Sequence, residues 1–436
     1  MDMKITSRLL IMMFVQYFMQ GAWNMTMGLV LSSYGMASII GNAYALLGVA
    51  TIISPLFIGM VADRFFASQK VMGILHLINA VVILCVPQFI EAQNSGMTLF
   101  LIFIIGLLFY PTTALSNSIS FSHINGVKYF PIIRVFGTFG FMAIGFILGE
   151  MGFSGSTMTW YIASAVGVLL GFYCFTLPNT PPKAKGQPFS LRDILCLDAL
   201  SLFKDRYFAI LMFSIFILMI PKTAYSAYIP VFIKALGFDN AASIMQIGIA
   251  CEVLFMFVLS FFLMKFGFKI TLLLGAVSWI IRSMFFSYAA VNTELYFIVI
   301  GLMLQGLCWD FFFTAGDIYV DRKAKPEIRA QAQGLRFIVS NGFGLLFAST
   351  ICGQIFNTTV TETGDAALPQ WSTFWVYPAI VAAVVTLFFI FFFKDDVSKK
   401  EIAKIKKHHE ELQHLNFKIK NKPTSGANHG CINTVC

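Results

Sequence analysis

Long apolar runs, each near the roughly 20 residues that a helix needs to cross a bilayer, alternate with short polar loops along most of the chain. Twelve such runs can be read, over 9–32, 38–61, 71–90, 97–120, 132–153, 158–177, 207–231, 242–264, 270–290, 295–318, 332–356 and 370–393. Pro and Gly lie between and inside them, which suits helices. An outer-membrane barrel would show alternating segments of about ten residues instead. The first run is too long for a signal peptide and lacks a small-residue cleavage site, so it reads as a membrane helix.

The longest gap, 178–206, holds Pro178, Pro181, Pro182 and Pro188 with Lys183, Lys185 and Arg192. It reads as a hydrophilic cytoplasmic linker whose second part, 190–204, has the spacing of a short surface helix. The expected fold is an all-α membrane protein of twelve transmembrane helices in two six-helix bundles, 1–177 and 207–394. A basic tail, 395–436, follows. Residues 397–415 have some helical spacing, the rest reads as disorder, and the lysines beside the last span suit anionic headgroups.

Charge then orients the helices. With the N-terminus inside, Lys4, Arg8, Arg64, Lys70, Lys128, the linker, Lys265, Lys269, residues 322–329 and the tail all lie on the cytoplasmic side. Of the 30 Lys and Arg, only Lys234 falls in an outside loop. Outside loops carry acids instead, among them Glu91, Glu294, Glu362 and Asp365. A wrong span count would scramble this pattern. Both termini are therefore expected inside.

Composition narrows the class. The chain is 58% hydrophobic and 12% charged, against about 25% charged residues in soluble domains. Its net charge of +9 lies mostly in inside loops and the tail, which argues against nucleic acid as a partner. The eight cysteines (85, 174, 196, 251, 308, 352, 431, 436) show no metal-ligand spacing and read as packing residues. Of the six histidines, 408, 409, 414 and 429 are in the tail and His76 is alone in the third span. No zinc, nucleotide or triad motif is present, and no sizeable soluble domain for a sensor. The reading is a carrier rather than an enzyme, without cofactor or metal, working as a monomer in the lipid bilayer.

Seven ionisable residues within spans are singled out: Arg134, Lys222, Glu252, Arg282, Asp310, Asp317 and Arg336. Each would cost about 2.5–3.5 kcal/mol facing lipid at mid-membrane, so they must mostly face a cavity or one another. Asp310, in mid-span, is the first choice for a proton site, against a static salt bridge. Burial and a nearby cation move a carboxylate's proton affinity in opposite directions, and a balanced one can load and unload. Asp317, seven residues on, is placed on the same face two turns nearer the inside. Glu252, the lone acid of the eighth span, is a coupling or ligand group. Arg134 suits a carboxylate partner, a substrate or a topogenic role. Lys222 follows Pro221, where backbone carbonyls are freed, and suits a substrate contact or a counter-ion to Glu252. Arg282 and Arg336 read as structural partners of the acids. Trp23, Phe141, Tyr225 and Trp309 sit near these positions and could stack on a planar ligand.

One loop motif adds to this. Gly59-Met60-Val61-Ala62-Asp63-Arg64, at the inner end of the second span, resembles the G-x-x-x-D-R/K loop of the major facilitator superfamily. Gly59 permits close helix approach, and Asp63 with Arg64 would latch the outward-open state. The equivalent loop after the eighth span, Lys265-Phe266-Gly267-Phe268-Lys269, has no acid and reads as a degraded copy.

Further runs carry a closer resemblance: Gln20-Gly21-Ala22-Trp23, Tyr110 to Ser118, FPIIRVFGTFGF at 130–141, LDALSLFK at 197–204, Trp309-Asp310-Phe311-Phe312, Arg329 to Gly334, and Asn341 to Gly344. Up to about residue 394 the chain is similar to the nucleoside:proton symporter family of that superfamily. The resemblance implies that Arg134, Thr138 and Phe141 line a nucleoside site, that Glu252 matches an acid of that site, and that Asp310 matches the coupling aspartate. It also implies a bacterial inner membrane. Departures fall on the ligand shell. Lys222 and Tyr225 stand where the family has Gln and Asn, Ile249 where it has Gln, Gln305 where it has Tyr, and Arg336 where it has an apolar residue. The expected substrate-binding set is thus Arg134, Thr138, Phe141, Lys222, Tyr225, Glu252, Gln305 and Trp309, with Asp310 and Glu252 coupling protons. The expected function is proton-coupled nucleoside import by alternating access. The alternative is the same fold carrying another polar solute, such as a sugar or an acidic metabolite.

Overall fold

The computed structural model describes residues 3–54, 66–124, 126–182, 192 and 196–398. The proposed latch residues Gly59, Asp63 and Arg64, most of 183–195 and the tail beyond 398 lie outside them. Every regular element among the described residues is helical. In chain order they are α1 (Met3–Asn24), α2 (Met27–Ser33), α3 (Ile40–Ser54), α4 (Ser68–Glu91), α5 (Ser95–His123), α6 (Gly126–Glu150), α7 (Met158–Cys174), α8 (Arg206–Ala235), α9 (Ala241–Asn292), α10 (Leu295–Met303), α11 (Gln305–Cys308), α12 (Ala315–Lys323), α13 (Arg329–Phe337), α14 (Leu345–Thr359) and α15 (Leu368–Phe392). Nine of the described helical stretches are long and apolar enough to cross a membrane, the 52 residues of α9 counting once.

The departures from simple spans each have a local cause. The first span breaks at Met25–Thr26, where Thr26 leaves helical geometry at φ −107°, ψ 8°. The Tyr44 hydroxyl donates to the Asn24 carbonyl at 3.2 Å, satisfying backbone that the break frees. The expected loop between the eighth and ninth spans is a single turn. Gly267 adopts φ 72°, ψ −177° inside α9, and two helices meet there; only Gly takes such a backbone cheaply. The acid missing from that loop comes from elsewhere: the Asp395 carboxylate accepts from the Phe268 backbone N–H at 2.7 Å. Of the expected surface helix at 190–204, the described part is a 3₁₀ turn, Asp198–Lys204.

The tenth and eleventh spans each contain a π-helical stretch, Trp309–Thr314 and Ile338–Gly344. Such widened turns often sit at functional sites. Gly275 of α9 packs directly on the first one, since a Cβ there would lie 2.7 Å from the Phe312 backbone nitrogen.

Helices before residue 177 meet those after 206 chiefly at the end bearing the loops near 34–37, 151–157, 236–240 and 360–364. There Ser243 donates to Glu150 at 2.9 Å, Asn357 donates to the Ser38 carbonyl at 2.9 Å, and Tyr44 also reaches the Ser226 carbonyl at 3.4 Å. Gly28 of α2 lies so close to α8 that a Cβ would collide with the Ala227 carbonyl oxygen. Small residues let helix backbones approach where lipid offers no hydrophobic drive. Toward the other end, Ile132 and Phe136 of α6 and Phe257 and Met264 of α9 are exposed.

Candidate substrate and proton site

A cavity of about 140 Å³ opens at mid-depth between helices from both parts of the chain. The break after α1 contributes Asn24 and Met25, α6 contributes Phe141, and α8 contributes Lys222, Tyr225 and Ser226. Met245, Gln246 and Ile249 come from α9, Gln305 from α11, and Trp309 from the start of the π stretch. The walls are thus aromatic and aliphatic, with a few polar tips, as suits a small-molecule site. Residues separated by up to 285 positions converge here because α2 and α3 pack tightly on α8 and α14 just beyond it.

A hydrogen-bonded relay stands behind one wall. Arg282 donates to the Gln305 side-chain oxygen, and the Gln305 amide nitrogen donates to Glu252 at 3.2 Å. This is the amide orientation that serves both ions, since guanidinium only donates and carboxylate only accepts. Arg282 is 1% exposed, and its Nε and second terminal nitrogen have no hydrogen-bond partner. Its guanidinium lies 3.5 Å from the Tyr225 ring centroid, so part of its charge rests on an aromatic face. Phe286 stacks near-parallel to that ring at 6.3 Å. The Tyr225 hydroxyl has no partner, leaving a donor and acceptor at the cavity wall.

Asp310 follows Trp309 in the π stretch but does not line the cavity, and it is fully buried, at 0% exposure. Thr314 donates to one carboxylate oxygen at 3.2 Å, and the other oxygen has no partner. No Lys or Arg among the described residues lies within ion-pair distance of it. The static salt bridge weighed for Asp310 is therefore not what the described residues form. Asp317 differs. The Arg336 Nε lies 2.6 Å from it, and Arg336 also donates to the Phe313 carbonyl at 3.2 Å, a group within the widened turn.

The residues singled out by sequence therefore separate into three groups. Phe141, Lys222, Tyr225, Gln305 and Trp309 line one cavity, and Glu252 joins it through Gln305. Arg134 and Thr138 do not line it: Arg134 is exposed, with its guanidinium 4.3 Å from the Tyr17 ring centroid. Asp310 is next in the chain to Trp309. Lys222 does not pair with Glu252; its ammonium lies 5.8 Å from the Trp309 ring centroid. Arg282 meets an acid only through the neutral Gln305. Asn24, Met25, Met245 and Gln246 are lining residues that the sequence does not signal, because the break at Met25–Thr26 and the packing of α9 on α6 bring them there; Ser226 lines the cavity beside Tyr225 on α8. The i, i+4 spacing of Asp310 and Thr314 was the one signal in the sequence for that contact.

Comparison with known proteins identifies the family. A family model described as nucleoside H+ symporter matches residues 3–398. The chain belongs to the nucleoside H+ symporter family. It is 34% identical to the putative nucleoside transporter YegT of Escherichia coli K12, over 93% of this chain and 97% of that protein. It is 30% identical to the xanthosine permease of the same organism, over 86% and 92% of the two. The crystal structure of the nucleoside transporter NupG superposes with a TM-score of 0.80 at 27% identity, covering 90% of this chain and all of that one. The family is one of multi-pass membrane carriers and not of enzymes, and the helical architecture is that of the major facilitator superfamily.

Proposed function

We propose that this protein imports nucleosides together with protons across a bacterial inner membrane. The observation that carries the reading is the aromatic-lined cavity together with the buried Asp310, next in the chain to its Trp309 and without an ion pair among the described residues. A nucleoside base would lie among Phe141, Tyr225 and Trp309. Its polar edge would meet Gln305, whose orientation Arg282 and Glu252 hold fixed. The second Asp310 oxygen has no competing donor, so a proton can take it. Loading it removes one negative charge from the low-dielectric interior and lets the site close.

The carrier would be a monomer of twelve spans in two six-helix bundles, 1–177 and 207–394, with both termini cytoplasmic. In that topology the tight contacts of Gly28, Glu150 and Asn357 close the outer end, and the conformation faces inward. Arg134 and Thr138 would then lie on the inner approach and join the substrate as the bundles rock. Asp63 and Arg64, with Gly59, would latch the opposite, outward-open state. Membrane potential contributes about 2.3 kcal/mol per charge per 100 mV.

Reconstitution into liposomes tests the reading. Labelled uridine should concentrate inside when an inward proton gradient is imposed and should merely equilibrate without one. Uptake by the wild type that is indifferent to the gradient would contradict coupling.

A further inference from the structure

Lys222 is the charged residue on the cavity wall, and none of Glu252, Asp310 and Asp317 neutralises it. Glu252 accepts from Gln305, Asp310 from Thr314, and Asp317 pairs with Arg336. The remaining described acids offer Lys222 no ion pair either. Around it in the cavity are Trp309, 5.8 Å from the ammonium, the apolar Phe141, Met245 and Ile249, and the neutral polar tips of Asn24, Ser226, Gln246 and Gln305.

While the cavity is open, water can solvate this ammonium. When the carrier occludes around its substrate, that water leaves, and the neutral polar groups of the wall can solvate the cation but not neutralise it, which leaves a buried charge at a cost. A protonated Asp310 is neutral and brings no relief. An anionic substrate supplies the counter-charge that the described side chains do not. One cation lines the cavity, which suits a single negative charge; a phosphate dianion would bring nearly two. Aromatic walls favour a charge delocalised over a flat ring rather than a compact one.

We propose that Lys222 makes this carrier select nucleosides whose base is a monoanion near neutral pH, of the kind formed by dioxopurines. The inference rests on the nucleoside reading above and narrows it. It also changes the electrical balance. One monoanion moving with one proton carries no net charge, whereas a neutral nucleoside moving with one proton carries +1.

The test uses the full-length carrier in liposomes. Xanthosine, a dioxopurine nucleoside with an acidic ring N–H, and inosine, its neutral analogue with one oxo group fewer, compete against labelled uridine. At neutral pH xanthosine should compete about tenfold better than inosine, the scale of one hydrogen bond to a charged group. The advantage should shrink in mildly acid buffer, where the xanthosine ring is protonated. Lys222→Gln should erase the xanthosine-to-inosine ratio, and Lys222→Arg should keep most of it. Xanthosine uptake should respond to a pH gradient yet be indifferent to a clamped membrane potential. If the Gln variant fails to fold, the wild-type ratio and its pH dependence still decide. Uptake of both nucleosides with no xanthosine advantage would overturn this inference alone. Absence of uptake or competition by any nucleoside would overturn the nucleoside reading as well.

Discussion

Asp310 and Asp317 lie seven residues apart in one helical segment, yet the fold treats them in opposite ways. Asp317 is partly open, with 39% of its side chain exposed, and it has Arg336 at 2.6 Å. Asp310 is sealed, with a threonine on one oxygen and nothing on the other. The π stretch Trp309–Thr314 separates their surroundings, because a widened turn breaks the two-turn register that seven residues would otherwise keep. An acid inside a membrane span is thus not informative by itself; its partner decides. A paired acid is a fixed part of the scaffold. An unpaired and buried one suits a group whose charge comes and goes.

The sharpest way to break this contrast is to remove the Asp310 carboxylate. At 100 mV, one proton per substrate supports about fifty-fold accumulation, from about 2.3 kcal/mol. Asp310→Asn should bring labelled uridine down to simple equilibration while substrate exchange persists, measured by counterflow in liposomes. Asp317→Asn should leave accumulation largely intact.

Stability should respond in the reverse order. Arg336→Ala leaves Asp317 without its cation. Breaking a fully buried pair costs about 3–5 kcal/mol; Asp317 is half-open, so about 2 kcal/mol is expected. Detergent thermal unfolding should fall accordingly, and Asp317→Asn on top should recover part of it. Asp310→Asn should change thermal stability far less.

Gln305→Leu tests whether the relay belongs with the mobile group or the scaffold. It strands Arg282 and Glu252 without their shared amide, and substrate affinity should weaken about tenfold. Isothermal binding of uridine reads this directly. An unchanged affinity would assign the relay to the scaffold. Gly28→Ala, which places a Cβ against the Ala227 carbonyl, should destabilise outer-end closure by about 1–3 kcal/mol. Accessibility of a cysteine introduced at Ser38 to an impermeant thiol reagent should rise.

The sequence made much of this legible for a simple reason. Span length is fixed by bilayer thickness, and α4, α5, α8 and α15 fall within a few residues of the apolar runs that announced them. Intramembrane charges announce themselves by their cost, which is why Glu252, Asp310, Asp317, Arg282 and Arg336 stood out. Their pairing did not. It depends on tertiary fits such as Gly275 against the Phe311–Phe312 backbone, and nothing in WDFFFT distinguishes a π turn from an α turn locally. The loop at Gly267 was read as lacking its acid because the acid, Asp395, lies 128 positions further on. The sequence leaves Lys222 between two roles for the same reason; in the structure Glu252 is occupied by Gln305.

The most direct measurement counts protons. Liposomes loaded with a trapped pH dye are mixed with uridine in the absence of any imposed gradient. The wild type and Asp317→Asn should acidify the lumen as uridine enters, and Asp310→Asn should admit uridine without acidification. Acidification that persists in Asp310→Asn, or that disappears in Asp317→Asn alone, would contradict the assignment.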